Sequence, residues 1–404
     1  MTRHVIIGAG QAGLQVAESL RKEGFDGEVV LIGDESSAPY QRPPLSKKYL
    51  LGEVTAERLL FRAADHYARQ NIDLRLDTRV TAIHPSNHTL TLADGTHLEW
   101  DRLALTTGAR VRRLDVPGAA DPRVHVLRGV EDAESLRQGL ERAARVVVIG
   151  GGFIGLEVAA IARKLGREVT VVEAQSRLLP RVVAPLVSTF FHELHTGHGV
   201  RILLEQQVAA LVPAADTLTV QTVDGTSIPA DLVVVGIGVI PNTELAEAAG
   251  IVCEAGIVVD EFARTSHPHI VSAGDCTRHR NLLFAAPHRL ESVQNAVDQA
   301  KVAASTMLDA PVPYAQVPWF WSDQYDVKLQ MVGISAGHDS LIVRGVPGPD
   351  GFSVFYRSGD RVIAVDSINK PAEHMAARKL IAAGGRCDPE RLTDTSTDLK
   401  TLFQ

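Results

Sequence analysis

HVIIGAGQAGL (His4–Leu14) and RVVVIGGGFIGL (Arg145–Leu156) carry one glycine signature twice. The glycines are Gly8, Gly10 and Gly13 in the first copy and Gly150, Gly152 and Gly155 in the second. Each copy follows an apolar β-branched run, opens a helix-like stretch and leads to a second apolar run ending in an acid. Those acids are Asp34, after EVVLIG, and Glu173, after EVTVV. An acid about twenty residues beyond G-x-G-x-x-G completes a dinucleotide fingerprint. The first glycine serves a tight turn, the second lets backbone approach a pyrophosphate, and the third lets helix pack on strand. The helix N-terminus then offers free N–H groups and a partial positive charge to phosphate. One such motif is weak evidence. Two complete units in one chain predict two bound dinucleotides, most simply a flavin (FAD) and a nicotinamide. A carboxylate at Glu173 accepts from ribose hydroxyls and repels a 2′-phosphate, which predicts NADH rather than NADPH.

Outward from these units, RILLEQQVAALV and ADLVVVGIGVIPN complete the second near Asn242, while DRLALTTGA (Asp101–Ala109) continues the first. The later segment TSHPHIVSAGDC delivers Asp275 at the C-terminal end of an apolar run, where ligands sit in open α/β sheets. The chain order predicts nesting: an FAD-binding domain over 1–112 and 243–318, interrupted by an NAD-binding domain over 113–242. From 319 to 404, the strand-like runs KLQMVGI, SLIVRGV, FSVFYRSG and RVIAVDSIN precede a helical PAEHMAARKLIAAG. Strands followed by helix predict a small α+β domain. The end, TDTSTDLKTLFQ, reads as a polar tail. The expected fold class is therefore α/β: two Rossmann-like dinucleotide-binding domains plus a small C-terminal α+β domain.

The 404 residues suffice for two or three domains, and 45% hydrophobic with 22% charged residues suits a soluble α/β protein. A formal net charge of −7 with no basic domain argues against nucleic-acid binding. The first strand begins within a few residues of the N-terminus, leaving no room for a signal or transit peptide. No apolar span reaches membrane length. A cytoplasmic location is expected. Only three cysteines occur, Cys253, Cys276 and Cys387, with no close pair. The stretch after the first acid, ESSAPYQRPPLSKKYL, has none, so thiol redox chemistry is not expected and the cysteines read as reduced bystanders. His192, His195 and His198 in FHELHTGHG read first as a solvated helix terminus and, less readily, as metal ligands. Otherwise no metal site is expected.

Several longer segments make the chain resemble the bacterial FAD-dependent, NADH-using ferredoxin reductases of the putidaredoxin-reductase and rubredoxin-reductase type. They are YQRPPLSKKYL (Tyr40–Leu50), LRGVEDAESL (Leu127–Leu136), GIGVIPN (Gly236–Asn242), AGDC (Ala273–Cys276), LESVQNA (Leu290–Ala296) and VPWFWSDQY (Val317–Tyr325). The resemblance covers essentially the whole chain. It implies FAD contacts at Gly8, Gly10, Ala12 and Gly13, at Asp34, at Arg42 and Lys47, and at Val80, Arg128, Asp275 and Val293. Gln294 departs from it, since related proteins often carry proline there. It implies nicotinamide-side positions at Gly150, Gly152, Ile154, Gly155, Glu173 and Gly238. Lys47 is placed near the flavin edge, Glu157 beside the nicotinamide and able to pair with Lys47, and Trp321 among the aromatics that shield one end of the ring. Without the resemblance, Lys47, Arg42 and Arg128 read as surface cations and Trp319 and Trp321 as core aromatics. Glu157 is different: it sits in the apolar run FIGLEVAAIA, where an unpaired carboxylate is costly and calls for a partner.

The implied activity is hydride transfer from NADH to FAD, followed by single-electron transfer to a small [2Fe-2S] ferredoxin that feeds a cytochrome P450 or a Rieske-type ring-hydroxylating oxygenase. The iron belongs to the partner, because this chain lacks the four cysteines a cluster needs. Such ferredoxins are generally acidic, and Lys301, Lys328 and Lys370 are the docking candidates, with scattered solubilising lysines as the plain alternative. Two other functions fit two dinucleotides without thiols: reduction of a small molecule such as a quinone, and a non-enzymatic NADH-sensing flavoprotein.

Overall fold

In the computed structural model, which describes residues 2–284 and 287–403, both glycine signatures fold with the same spacing. Strand Arg3–Ile7 leads into helix Gln11–Lys22, and strand Arg145–Ile149 into helix Phe153–Lys164. Basic residues (Arg21 and Lys22, Arg163 and Lys164) occupy the last turn of each helix, where the dipole is negative. Gly24 and Gly166 then turn the chain at φ +89° and +77°. Phe25 N–H bonds the Leu20 carbonyl and Arg167 N–H the Ala162 carbonyl, so both helices end in the same Schellman cap. The returning strands Glu28–Ile32 and Glu168–Val172 pair parallel to the first, Arg3 opposite Glu28 and Arg145 opposite Glu168.

The chain divides into two compact units. The first is Met1–Gln41, Leu60–Arg110 and Ile240–Phe320; the second is Arg42–Leu59, Val111–Val239 and Trp321–Gln404. In the first unit, five parallel strands run in the order Ile270–Ser272, Arg102–Leu105, Arg3–Ile7, Glu28–Ile32, Ile72–Arg75. Successive side chains point to opposite faces. Ile6, Leu31 and Ala104 pack under helices Gln11–Lys22 and Val293–Met307, while Val5, Ile7, Val30 and Leu105 pack against Val80, Ile83 and Leu90 of a small antiparallel sheet. Both faces are covered, so these strands read as unbroken apolar runs rather than as alternation.

The second unit repeats the plan, in the order Arg201–Leu203, Glu168–Val172, Arg145–Ile149, Leu232–Val235, Val124–His125, all parallel. It too has a three-stranded antiparallel sheet, whose Leu211, Val220 and Ile228 pack with Val147 and Val233. From Trp319 onward a five-stranded sheet runs in the order Trp319–Gln324, Val327–Gly333, Arg361–Ile368, Phe352–Ser358, Ser340–Arg344, with helix Pro371–Ala382 packed on it. The α/β class, the two Rossmann-like sheets and the C-terminal sheet with its helix are those read from the sequence. Among the described residues no helix is long and apolar enough to cross a membrane.

One expectation is corrected. The stretch read as a polar tail is tied down: Leu392 and Leu399 are buried, and Arg344, only 4% exposed, donates to the carbonyls of Leu392, Asp394, Thr395 and Thr397. Its polar letters serve a local turn, with Asp394 accepting from Ser396 and Thr397.

Candidate functional site

The two glycine loops show why each residue must be small. Gly8 takes φ +110°, and a Cβ there would sit 2.2 Å from the Thr106 carbonyl oxygen; one on Gly13 would sit 1.9 Å from that of Gly8. In the second loop the corresponding approaches are 2.5 Å from Gly150 to the Gly236 oxygen and 2.2 Å from Gly155 to the Gly150 oxygen. The middle glycines behave otherwise. A Cβ on Gly10 would meet nothing within 4 Å, and one on Gly152 only the Gly236 oxygen at 3.9 Å. The outer glycines are therefore demanded by the protein's own backbone, and the middle ones by space outside it. Gly10 and Gly152 are also helix N-caps with no side-chain cap and no acid in the first turn. The first-turn N–H groups at the positive end of each helix, beside a cradle that a Cβ would fill, fit a pyrophosphate in both units. Gly10→Val is expected to keep its fold by circular dichroism but to purify with roughly tenfold less flavin by its visible absorbance, because only the cradle is filled.

The two acids are not equivalent. Glu173 directly follows its strand, is buried, and accepts from the N–H groups of Gly151 (2.6 Å) and Gln175 (2.8 Å). The position after strand Glu28–Ile32 is instead Gly33, where a Cβ would lie 2.6 Å from that of Ala9; Asp34 comes one residue later and is exposed. Ala9 in one loop and Gly151 in the other thus decide whether the next position can carry a side chain.

Other flavin-side candidates of the first unit sit on firm supports. The turn before Asp275 is pinned by Gln299, whose Oε1 accepts from Gly274 N–H (2.9 Å) and from Thr277 Oγ1 (2.9 Å). Gly274 takes φ +89° there, against Ala12. Val80 starts its strand, buried, and Val293 opens helix Val293–Met307, capped by Ser292. Gln294 earns its place with a bond proline lacks: its Oε1 accepts the Trp319 N–H at 3.2 Å.

In the second unit, Pro43 and Pro44 start a short 3₁₀ turn, Pro43–Ser46, flanked by Arg42 and Lys47. Arg42 donates to the Arg128 carbonyl at 2.9 Å, which brings those two candidates together. Lys47 Nζ lies 2.7 Å from Glu157 Oε2, the lysine side chain 18% and the glutamate 2% exposed. The partner that the apolar run around Glu157 called for is therefore present, with two more: Ser46 Oγ donates to Oε2 at 2.5 Å and Ser322 Oγ to Oε1 at 2.6 Å. Neither serine was picked out from the sequence; their only signal was a hydroxyl inside RPPLSK and PWFWSDQY. Ile154 is 44% exposed beside the second cradle, and Gly238 takes φ +101° with only the Arg181 guanidinium near its Cβ position. Trp321 is half-buried in strand Trp319–Gln324, on the face opposite Ser322 and Gln324.

Of the histidine stretch, His198 is exposed and His192 partly so, as at a solvated helix end, and only His195 departs from that reading. His195 is fully buried, its Nε2 2.8 Å from Gln324 Oε1, and burial pushes its pKa down to about 4. His198 stacks on Tyr325. Among the described residues no cluster of histidine, cysteine and acid could hold a metal. All three cysteines are free, and burial raises the Cys253 thiol to about 11, far from a reactive thiolate. Of the docking candidates, Lys301 is paired with Asp298 at 2.9 Å and Lys328 with Asp323 at 3.8 Å, while Lys370 stands at the N-terminal boundary of helix Pro371–Ala382 without a side-chain capping bond.

Residues 2–300 match the family described as pyridine nucleotide-disulphide oxidoreductase, and residues 319–403 match the one described as reductase C-terminal. Rhodocoxin reductase of Rhodococcus erythropolis is 48% identical over 98% of this chain and 93% of its own length. The anthranilate 1,2-dioxygenase system ferredoxin–NAD(+) reductase component of Burkholderia cepacia is 45% identical over 99% of this chain and 98% of its own. A chain from the crystal structure of the covalent putidaredoxin reductase–putidaredoxin complex superposes with a TM-score of 0.96 at 46% identity, covering 99% of this chain and 97% of that one. With both cradles open to a dinucleotide and these likenesses running end to end, the chain belongs to the pyridine nucleotide-disulphide oxidoreductase family, on its putidaredoxin-reductase and rubredoxin-reductase branch, and is an oxidoreductase that works with FAD and NAD(H).

Proposed function

We propose that this protein is an NADH:ferredoxin oxidoreductase of the cytoplasm, passing electrons from NADH through FAD to a [2Fe-2S] ferredoxin that serves a cytochrome P450 or a Rieske-type oxygenase. The observation that carries the reading is the pair of open glycine cradles, each on its own parallel sheet, in a chain whose three cysteines are all free. FAD bound here would supply the exchange between a two-electron hydride donor and a one-electron acceptor.

The chain's own residues divide the work. Segments 1–112 and 243–318 are assigned to FAD, 113–242 to NADH and 319–404 to the C-terminal domain. Gly8, Gly10, Ala12 and Gly13 take the FAD pyrophosphate; Asp34 and Val80 take its adenosine end; Asp275, Arg42, Arg128 and Val293 hold the ribityl and ring portions. Gly150, Gly152, Ile154, Gly155 and Gly238 receive the nicotinamide dinucleotide, and Glu173 its ribose. Lys47, held between Glu157 and the Pro43 carbonyl (3.4 Å), presents a fixed positive charge to the electron-rich ring. Trp321 would shield one end of that ring, as the resemblance implies. Lys301, Lys328 and Lys370 remain the docking candidates for an acidic ferredoxin; Lys301 lies beside Asp298 and Lys328 beside Asp323.

The test is anaerobic titration with NADH, then addition of a [2Fe-2S] ferredoxin. Bleaching of the flavin band by NADH, with rapid recovery on adding ferredoxin and NADPH much the poorer donor, is the expected result. Bleaching without recovery would move the acceptor to a small molecule. Purification without flavin would end the reading.

A further inference from the structure

Glu157 terminates a chain of hydrogen bonds, not only an ion pair. Ser322 Oγ is 2.6 Å from Glu157 Oε1, and Gln324 Nε2 is 3.2 Å from Ser322 Oγ. His195 Nε2 is 2.8 Å from Gln324 Oε1, and Tyr325 Oη is 3.4 Å from His195 Nδ1. Ser322, Gln324 and His195 are fully buried, so bulk water is no substitute for a missing partner. The chain joins helix Phe153–Lys164, strand Trp319–Gln324 and helix Pro185–Gly197. Ser322 and Gln324 reach the same side because they are two apart on the strand.

The donor and acceptor roles along this chain follow from its end. An ionised carboxylate only accepts. Ser322 has one proton and must give it to Glu157, so its oxygen receives the Gln324 N–H. That orients the Gln324 amide with its carbonyl toward the imidazole. The carbonyl also only accepts, so His195 carries its proton on Nε2 and leaves Nδ1 to accept from Tyr325. Every donor thus points toward Glu157, and bonds aligned this way polarise one another. Burial keeps His195 neutral well below physiological pH, as the assigned tautomer requires.

We propose that Ser322, Gln324 and His195 are positioning residues: a one-way hydrogen-bond relay that sets the orientation of the Glu157 carboxylate and so holds the Lys47 ammonium in place for hydride transfer. The proposal rests on the reading of Lys47 and Glu157 given above. It adds that a strand and a helix outside the dinucleotide loops control that pair. Glu157 already has Ser46 and Lys47 on Oε2; among the described residues it is Ser322 that donates to Oε1. Without Ser322 the carboxylate is held at Oε2 alone, and its rotation about the last bond, with the lysine that rides on it, is less restrained.

The experiment has two parts, both on the FAD-loaded full chain. Nitrogen-15 NMR of histidine-labelled protein is expected to show His195 as the Nε2–H tautomer with no titration between about pH 8 and 5.5. In Ser322→Ala that signal should shift as the Gln324 amide is released, and stopped-flow reduction by NADH should slow about tenfold at unchanged FAD content and NADH affinity. Ser322→Thr, which restores the hydroxyl, should recover the rate. Gln324→Glu, similar in size but lacking the amide donor, should slow it as Ser322→Ala does. An Nδ1–H tautomer in the wild type, a His195 that titrates near its ordinary value, or a Ser322→Ala rate within twofold of wild type would overturn the relay. If Ser322→Ala fails to fold, the wild-type tautomer and Gln324→Glu decide. The tautomer does not depend on turnover, so a wild type that NADH cannot reduce would sink the proposed function while leaving this result readable.

Discussion

Glu157→Ala is expected to slow flavin reduction by NADH by one to two orders of magnitude and to lower the unfolding free energy by about 3 kcal/mol. Three donors converge on this carboxylate: the Lys47 ammonium and the Ser46 and Ser322 hydroxyls, at 2.5–2.7 Å. Removing it strands all three in a site where the glutamate is 2% exposed. Breaking a buried pair by deleting one partner costs about 3–5 kcal/mol, and the lower end applies because Lys47 retains some contact with water. The kinetic loss has a separate origin, since a mobile ammonium no longer offers a preorganised charge. Urea denaturation followed by circular dichroism reads the first effect and anaerobic stopped-flow absorbance the second. Glu157→Gln should fall between, because one amide end presents N–H to groups that are themselves donors. A Glu157→Ala rate within threefold of wild type would show that Lys47 needs no partner.

The second large effect is expected at Glu173. Glu173→Ala should lower kcat/KM for NADH about a hundredfold while leaving NADPH little changed, so that the preference for NADH nearly disappears. The carboxylate does two jobs. It is held rigid by the N–H groups of Gly151 and Gln175, which preorganises it for a ribose diol, and its charge opposes a 2′-phosphate. Glu173→Gln separates them: it keeps the shape and one acceptor but removes the charge, and should gain on NADPH about tenfold relative to NADH. Steady-state rates with both nucleotides and a common artificial acceptor read the ratio. An unchanged ratio in both variants would place nucleotide discrimination elsewhere in the second unit.

Where sequence reading fell short, the cause can be named. The rule of an acid about twenty residues past the glycines treats Asp34 and Glu173 alike. The structure separates them by one residue, because Ala9 crowds the position that Gly151 leaves open. The His192–His198 stretch read as solvated because a helix end rich in polar letters usually is. His195 is buried because Gln324 and Tyr325, far along the chain, cover it. The C-terminal stretch read as a tail for the same reason, and it is Arg344 that gathers its carbonyls.

By itself the sequence determined the two parallel sheets, the glycine cradles and the antiparallel domain that follows. Each depends on local patterning: apolar runs covered on both faces, glycines where backbone crowds backbone, and caps at helix ends. The need of Glu157 for a partner was legible too, since a lone carboxylate in an apolar helix run is costly. What only the tertiary structure decided is who answers it. Lys47, Ser46 and Ser322 lie 110, 111 and 165 residues away along the chain, and His195 is 129 residues from the Gln324 it bonds. Serine and glutamine are ordinary surface letters until the chain is folded. Burial, which turns each of their hydrogen bonds from optional to required, is a property of the packed molecule and of no local stretch.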